Sequence, residues 1–546
     1  MYTQDFDPTG SLFLSALLAL LPLLVLLVLL GGIRLKAHWA GLAGLLVALG
    51  VAVLGYSMPV GQALDSAAFG AAFSVLAILW ITFNAIWIYN LTVETGDFHT
   101  LRRAFASVSD DRRIQAIVIA FAFGALLEAL AGGGSPIAIC AVMLIALGFS
   151  PLKAAALTLV ADTAPVAFGG MGNPITIIGA TTGLDADRFG AMAGRQTPLL
   201  AALVPFVLLY MADGRRGLRQ VWPAALAAGL SFSFSQFVFS NYFAYKLTDI
   251  FAALVSVGAI LLLNRFWKPE PADETDGAGD GAPAGSGIRD DDPHRHEGTA
   301  DSTADRIRAF APYGIIVLLF SLAQIEAVKD WLAKGTCTFA WPGLHILNSD
   351  GDPMATNYVL NWASHTGTLL FISGLLTMLV LKTGPTTGMR VYGRTIRQFG
   401  WAIFTILCVF SLSYVMNQSG QIVTLGQWLA GSGGFFAFLS PVVGWFGVAI
   451  TGTDAGANAL FGGLQVTAAH QLDVSPYLFG AANSTGGVMA KMISPQSLAV
   501  GAAAVGIVGQ EGTLFRRVFG WSMLLLLITA VLVYLQSTPV LDWMVV

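Results

Sequence analysis

Long apolar runs separated by short polar stretches recur along almost the whole chain. Candidate spans lie near 11–30, 37–56, 66–91, 114–131, 135–149, 152–172, 198–212, 221–240, 249–267, 309–327, 361–381, 398–416, 435–450, 456–470, 475–490, 493–509 and 518–537. Many are close to the ~20 residues that an α-helix needs to cross a hydrocarbon core. They are continuous rather than alternating, so the pattern predicts an all-α bundle and not a β-barrel. Several runs between 114 and 180, and between 435 and 510, are short or interrupted by Gly and Pro. These read as half-helices or re-entrant hairpins, which leaves about 12–14 crossings of bilayer length.

Composition sharpens this into a polytopic membrane protein. Of 546 residues, 55% are apolar and only 11% are charged, where a soluble domain carries roughly 25%. The N-terminus, M-Y-T-Q-D-F-D-P-T-G, has no Lys or Arg. A signal peptide starts with basic residues, so the run from Ser11 to Leu30 reads as the first span. Three scattered cysteines, Cys140, Cys337 and Cys408, form neither a disulfide framework nor a metal spacing. No P-loop, dinucleotide fingerprint, catalytic triad or zinc pattern is present, so we expect no cofactor, no metal, no nucleic-acid partner and no enzyme activity.

Lys and Arg collect on the cytoplasmic side of a membrane protein. Arg34, Lys36, Arg102, Arg103, Arg112, Arg113, Arg215, Arg216, Arg219, Lys382, Arg390, Arg394, Arg397, Arg516 and Arg517 therefore mark inside loops, and 418–435, which has neither residue, faces out. Alternation then puts both termini outside a multi-pass cell-membrane protein. The one hydrophilic insert, 269–308, is acidic and Gly-rich, the composition of a disordered cytoplasmic linker. Its His294 and His296 read as solvated rather than metal-binding.

Two interruptions stand out. E-A-L-A-G-G-G-S-P-I, from Glu128 to Ile137, and T-G-T-D-A-G-A-N-A-L-F, from Thr451 to Phe461, each follow an apolar run and combine a carboxylate with small residues. From Gly132 to Ser150-Pro151 is 18 residues, and from Gly456 to Ser475-Pro476 is 19. Polar stretches then follow in both copies, Asp162-Thr163 with F-G-G-M-G-N-P in one and Asn483-Ser484-Thr485 with K-M-I-S-P-Q-S in the other. The span before Glu128 starts inside and that before Asp454 starts outside, so the copies run in opposite senses. Inverted repeats with matching broken helices mark a transporter site at the bilayer midplane. The expected organisation is a first repeat over 1–213, linking helices over 214–268, the acidic linker over 269–308 and a second repeat over 309–546.

The interruptions make physical sense as binding devices. Gly and Pro free backbone groups, and non-helical backbone at that depth is tolerated only around a protein-lined cavity. A half-helix restarting at Ser135-Pro136 presents its N-terminus, which suits an anion. We expect Gly132, Gly133, Gly134, Ser135, Thr163, Thr453, Asn458, Asn483, Ser484 and Thr485 around a small carboxylate. Glu128, Asp162, Asp454 and Lys491 would each cost ~2.5–3.5 kcal/mol unpaired at a helix centre. Lys491 suits the substrate carboxylate or a buried acid. Glu128, Asp454 and Asp162 suit proton coupling, because desolvation favours a carboxylate that can hold a proton. Since Lys491 and Asp454 share one half, we expect these two to pair, leaving Glu128 alone as the carrier. His470 and His365 read as boundary residues.

At these stretches the chain resembles the lactate permease family, secondary transporters of L-lactate and 2-hydroxy acids such as glycolate with protons. The matching segments are D-F-D-P-T-G, F-G-A-L-L-E, P-V-A-F-G-G-M-G, G-R-Q-T-P, T-G-T-D, N-A-L-F and A-N-S-T-G-G-V-M-A-K-M-I-S-P-Q-S. By that resemblance Glu128, Asp454, Lys491 and Gln496 fall on motif positions, and Gln496 joins the substrate-binding set. A broader likeness to the ion-transporter superfamily implies inverted repeats with re-entrant hairpins and an elevator motion. The family usually reads A-G-F-G-A-P where this chain has 131–136 as A-G-G-G-S-P, and Asn at the place of Asp162. The expected function is proton symport of a 2-hydroxy monocarboxylate by alternating access across the lipid bilayer. The alternatives are a sodium-coupled or other small-anion symporter and, further off, an anion channel.

Overall fold

The computed structural model describes residues 2–29, 33, 35–109, 111–130, 135–269, 302–323, 325–348, 354, 356–398, 400–507 and 510–546. The histidines of the acidic linker, and Gly132, Gly133 and Gly134, lie outside the described residues.

The chain is almost wholly helical, as continuous apolar runs in lipid require, since only a helix satisfies its own backbone there. Among the described residues seven helices are long and apolar enough to cross a membrane, or up to nine if each of two bent pairs counts as one span. That is below the crossings suggested by the apolar runs because several runs become short limbs, such as Pro136–Ala146 and Thr366–Val380. Two small two-stranded sheets lie outside the helices. Tyr2–Thr3 pairs in parallel with Ile346–Leu347, and Cys337–Ala340 pairs antiparallel with Asn357–Leu360.

Two helical hairpins organise the centre. The first comprises Arg112–Leu130 and Ser135–Ala146. Arg112 donates to the Gly148 carbonyl at 3.4 Å at its base, and a Cβ on Gly124 would lie 3.7 Å from Cys140 Sγ partway up. Its limbs are thus antiparallel. The second hairpin comprises Phe436–Thr451 and Asp454–Gln471. Ser440 donates to Gln465 at 2.7 Å, and Gly447 faces Ala457 and Phe461. Its tip is Gly452-Thr453, where Gly452 takes φ +76° and Thr453 caps the next helix by accepting from the Gly456 N–H at 3.1 Å. Only glycine takes that left-handed turn without strain.

Each hairpin is followed by a helix that starts on Ser-Pro and breaks. Pro151–Ala161 ends at Asp162 and resumes as Gly169–Thr182. Pro476–Lys491 ends at Met492 and resumes as Pro495–Ala504. Proline at the first helical position explains both starts. The Asp213 end of the helix begun at Thr197 meets Arg113 at 3.2 Å, beside the base of the first hairpin. Its other end adjoins Arg195, which reaches the Met544 carbonyl at 3.0 Å, while Ser475 at the second hairpin's base reaches Val546 at 3.3 Å. The kink at Asp213-Gly214 splits this 46-residue helix where the sequence separates two spans.

Candidate functional site

The Leu130 end of Arg112–Leu130, the tip of the second hairpin and both helix breaks converge on one cavity of about 280 Å³. From the hairpins come Glu128, Leu130, Thr451, Thr453, Asp454, Ala455 and Gly456, and from the breaks come Gly169, Gly170, Asn173, Lys491 and Gln496. The far wall is mostly apolar, built from Ile86 on the helix Ile81–Glu94 and from Ile406, Val409 and Phe410 on the helix Gly400–Gln418, with Thr82 and Thr405 as its polar members. A mostly apolar cavity with a few convergent polar groups is the usual form of a small-molecule site.

Its charged lining groups are deeply enclosed, with Glu128 3% exposed, Asp454 2% and Lys491 4%; Asp162, also 2% exposed, does not line the cavity and lies behind Lys491. Lys491 Nζ donates to Glu128 Oε1 at 3.2 Å and lies 4.0 Å from Asp162 Oδ2. Asp454 instead accepts from the Ser484 hydroxyl. The expected partnership is therefore reversed: Lys491 pairs with Glu128 of the first hairpin, and not with Asp454 of the second. The reason is geometric. Lys491 ends its helix at the level where Glu128 approaches the Leu130 end of the first hairpin's opening limb, while Ser484, two turns earlier, faces the first turn of the helix begun by Asp454. There a carboxylate is favoured by the helix dipole.

Close backbone approach holds this arrangement. A Cβ on Gly169 would lie 2.9 Å from Glu128 Oε1, and one on Gly487 would lie 2.6 Å from Asp454 Oδ1. Gly170, Met171 and Gly172 take φ of +54°, +61° and +69° in succession, a left-handed run that costs a β-carbon-bearing residue such as Met171 roughly 1–2 kcal/mol. That run turns Gly169, Gly170 and Asn173 toward the cavity.

The other expected site residues divide. Thr453 and Gln496 line the cavity with Glu128, Asp454 and Lys491. Thr163 is buried and donates to the Val160 carbonyl at 2.6 Å, away from the lining. Asn458, Asn483 and Thr485 are used in packing. Asn483 donates to Asn458 at 2.9 Å and accepts from Gln465 at 3.1 Å, while Asn458 donates to the Pro174 carbonyl at 3.0 Å. Thr485 donates to Gln196 at 2.7 Å, and Gln196 donates to Gln536 at 3.1 Å. Ser484 touches the site only through Asp454. Ser135 begins its helix.

Sequence reasoning missed Thr82, Asn173, Thr405 and Thr451, which line the cavity. It also passed over Asp249, buried behind Asp162 and accepting from Gln236 at 3.5 Å. Asn173 and Thr451 sit in the noted G-M-G-N-P and T-G-T-D stretches, so proximity to a break was a usable signal; nothing local marks Thr82, Thr405 or Asp249. His365 caps the helix Thr366–Val380, its Nδ1 accepting from the Gly367 N–H at 3.1 Å, and His470 is exposed in the last turn of its helix.

A model of the L-lactate permease family matches residues 15–540. The chain belongs to the L-lactate permease family. It is 40% identical to the glycolate permease GlcA of Escherichia coli (strain K12), covering 98% of both chains. It is 39% identical to the L-lactate permease of Bacillus subtilis (strain 168), covering 100% of both. The L-lactate permease of Escherichia coli (strain K12) is 38% identical over 100% of each chain. The solved Alcanivorax borkumensis YdaH transporter covers 92% of this chain and 87% of its own at 14% identity, with a TM-score of 0.35, too low to read the fold from it. As a member of a permease family, the protein is a multi-pass membrane transporter and not an enzyme.

Proposed function

We propose that the protein takes up L-lactate or a related 2-hydroxy monocarboxylate such as glycolate by proton symport with alternating access. The names of its relatives supply the substrate class. The observation that carries the mechanism is the sharing of one buried lysine between Glu128 at 3.2 Å and Asp162 at 4.0 Å. One ammonium balances one carboxylate, so the trio is neutral only when a proton sits on an acid. A substrate carboxylate that claims Lys491 must displace Glu128. Leaving Glu128 ionised and unpaired there would cost about 3–5 kcal/mol, the usual penalty for orphaning one member of a buried pair. Binding the anion and a proton together avoids that cost, which couples the two. Glu128 is then the carrier by displacement rather than by isolation.

In this reading the two hairpins are the corresponding parts of an inverted repeat, with 1–213 and 309–546 as its halves and 214–268 as linking helices. Their antiparallel limbs, the matching Ser-Pro starts and the separation of their bases by the helix begun at Thr197 support it. Both termini lie outside, a reading supported by the contacts of Gln4 with Asn417 and of Val546 with Ser475. The substrate presents its carboxylate to Lys491 and its hydroxyl to Thr453, Asn173 or Gln496. The test is uptake of labelled L-lactate and glycolate into proteoliposomes under an imposed pH or sodium gradient. Accumulation driven by the pH gradient alone supports the reading. Accumulation that needs sodium, or flux that only dissipates gradients, overturns it.

A further inference from the structure

A second cavity, of about 190 Å³, lies one turn further along the helix Gly169–Thr182, between Thr176 and Ala180 and the strand Asn357–Leu360. Its lining includes Lys246, Tyr358, Asn361, Ser364 and His365. Lys246 is its one charged lining residue among those described, and no carboxylate among the described residues lies within ion-pair distance of it; Asp187 and Lys329 act on it only from farther off. Its Nζ sits 5.7 Å from the Tyr245 ring, whose hydroxyl is engaged with Thr176 at 2.9 Å. Because His365 Nδ1 accepts a backbone N–H, the neutral imidazole carries its proton on Nε2, a donor with no protein acceptor among the described residues.

An apolar septum separates this cavity from the central one. Phe73 lines the outer cavity and stacks on Phe410 of the central wall with ring centroids 6.3 Å apart, and Ile177 is buried with Phe410 between them. The central cavity reaches instead toward Ala402 and Thr405, near the Gly400 end of that helix. A lysine without an ion pair among the described residues, beside a neutral donor in a small, mostly apolar recess, suits an anion. The septum places that anion one barrier away from Lys491.

We propose that the outer cavity is a capture site for a small monocarboxylate, in which Lys246 Nζ and His365 Nε2–H hold the carboxylate before the septum opens to the central site. This rests on the monocarboxylate reading of the central cavity. Initial rates of labelled L-lactate uptake by proteoliposomes should show the KM of Lys246→Gln raised roughly tenfold, the low end of electrostatic focusing, with maximal rate retained. Lys246→Arg should keep the wild-type KM. An unchanged KM in Lys246→Gln, a lost maximal rate in that variant, or a KM in Lys246→Arg raised as far as in Lys246→Gln overturns the proposal. A second readout does not need transport: acetate should slow amine modification of Lys246 in the intact protein, followed by peptide mass spectrometry, whereas acetamide should not. If the wild type takes up neither lactate nor glycolate, the transport reading fails, and acetate protection of Lys246 alone decides the capture site. Equal modification with and without acetate overturns it.

Discussion

Removing Lys491 should harm the protein more than removing Glu128, and the difference can be worked from two distances. At an effective permittivity near 20, an ammonium attracts a carboxylate by about 5 kcal/mol at the 3.2 Å of Glu128 and by about 4 kcal/mol at the 4.0 Å of Asp162. Glu128→Gln therefore hands the lysine to Asp162 for a net loss of about 1 kcal/mol. Lys491→Met orphans both acids, a loss of about 3–5 kcal/mol. The double variant should be no worse than Lys491→Met, which gives a coupling energy of about 1–3 kcal/mol, the range for contacting residues. The assay is unfolding in mixed micelles titrated with dodecyl sulfate, for the wild type, both single variants and the double. Equal losses for the two single variants, adding within about 0.5 kcal/mol in the double, would refute the shared lysine.

Glu128→Gln should retain counterflow of labelled lactate while losing accumulation driven by a pH gradient; if it still accumulates lactate and Asp454→Asn does not, Asp454 is the carrier. Gly169→Ala forces its new methyl within 2.9 Å of Glu128 Oε1, so it should cut maximal uptake at least tenfold while the protein stays folded, and wild-type kinetics would show that Glu128 can move aside freely. Thr485→Val removes the donor to the fully buried Gln196 and should cost about 1–3 kcal/mol of stability with the lactate KM unchanged. A KM rise with unaltered stability would instead make Thr485 a substrate ligand.

The sequence by itself determined what is local or what the membrane enforces. Continuous apolar runs could only become helices, because lipid offers the backbone no other partner. Ser150-Pro151, Ser475-Pro476 and Ser494-Pro495 were legible as helix starts, since a serine before a proline at the first helical position suits a helix N-terminus. The breaks after Asp162 and before Asp454, and the presence of costly charges beside them, were legible for the same reason. Which charge meets which was not. Lys491 lies 37 residues from Asp454 and 363 from Glu128 in the chain, yet it bonds the distant acid, because the packing of the hairpins against the broken helices decides which side chains meet and sequence separation carries no information about that. The same holds for Asn458, Asn483 and Thr485. Their residue types suit a substrate and equally suit a buried network, and only the direction in which each helix face points decided that they bond Pro174, Gln465 and Gln196 instead. Thr82 and Thr405 have ordinary helical surroundings and join the cavity only because two distant helices form its far wall.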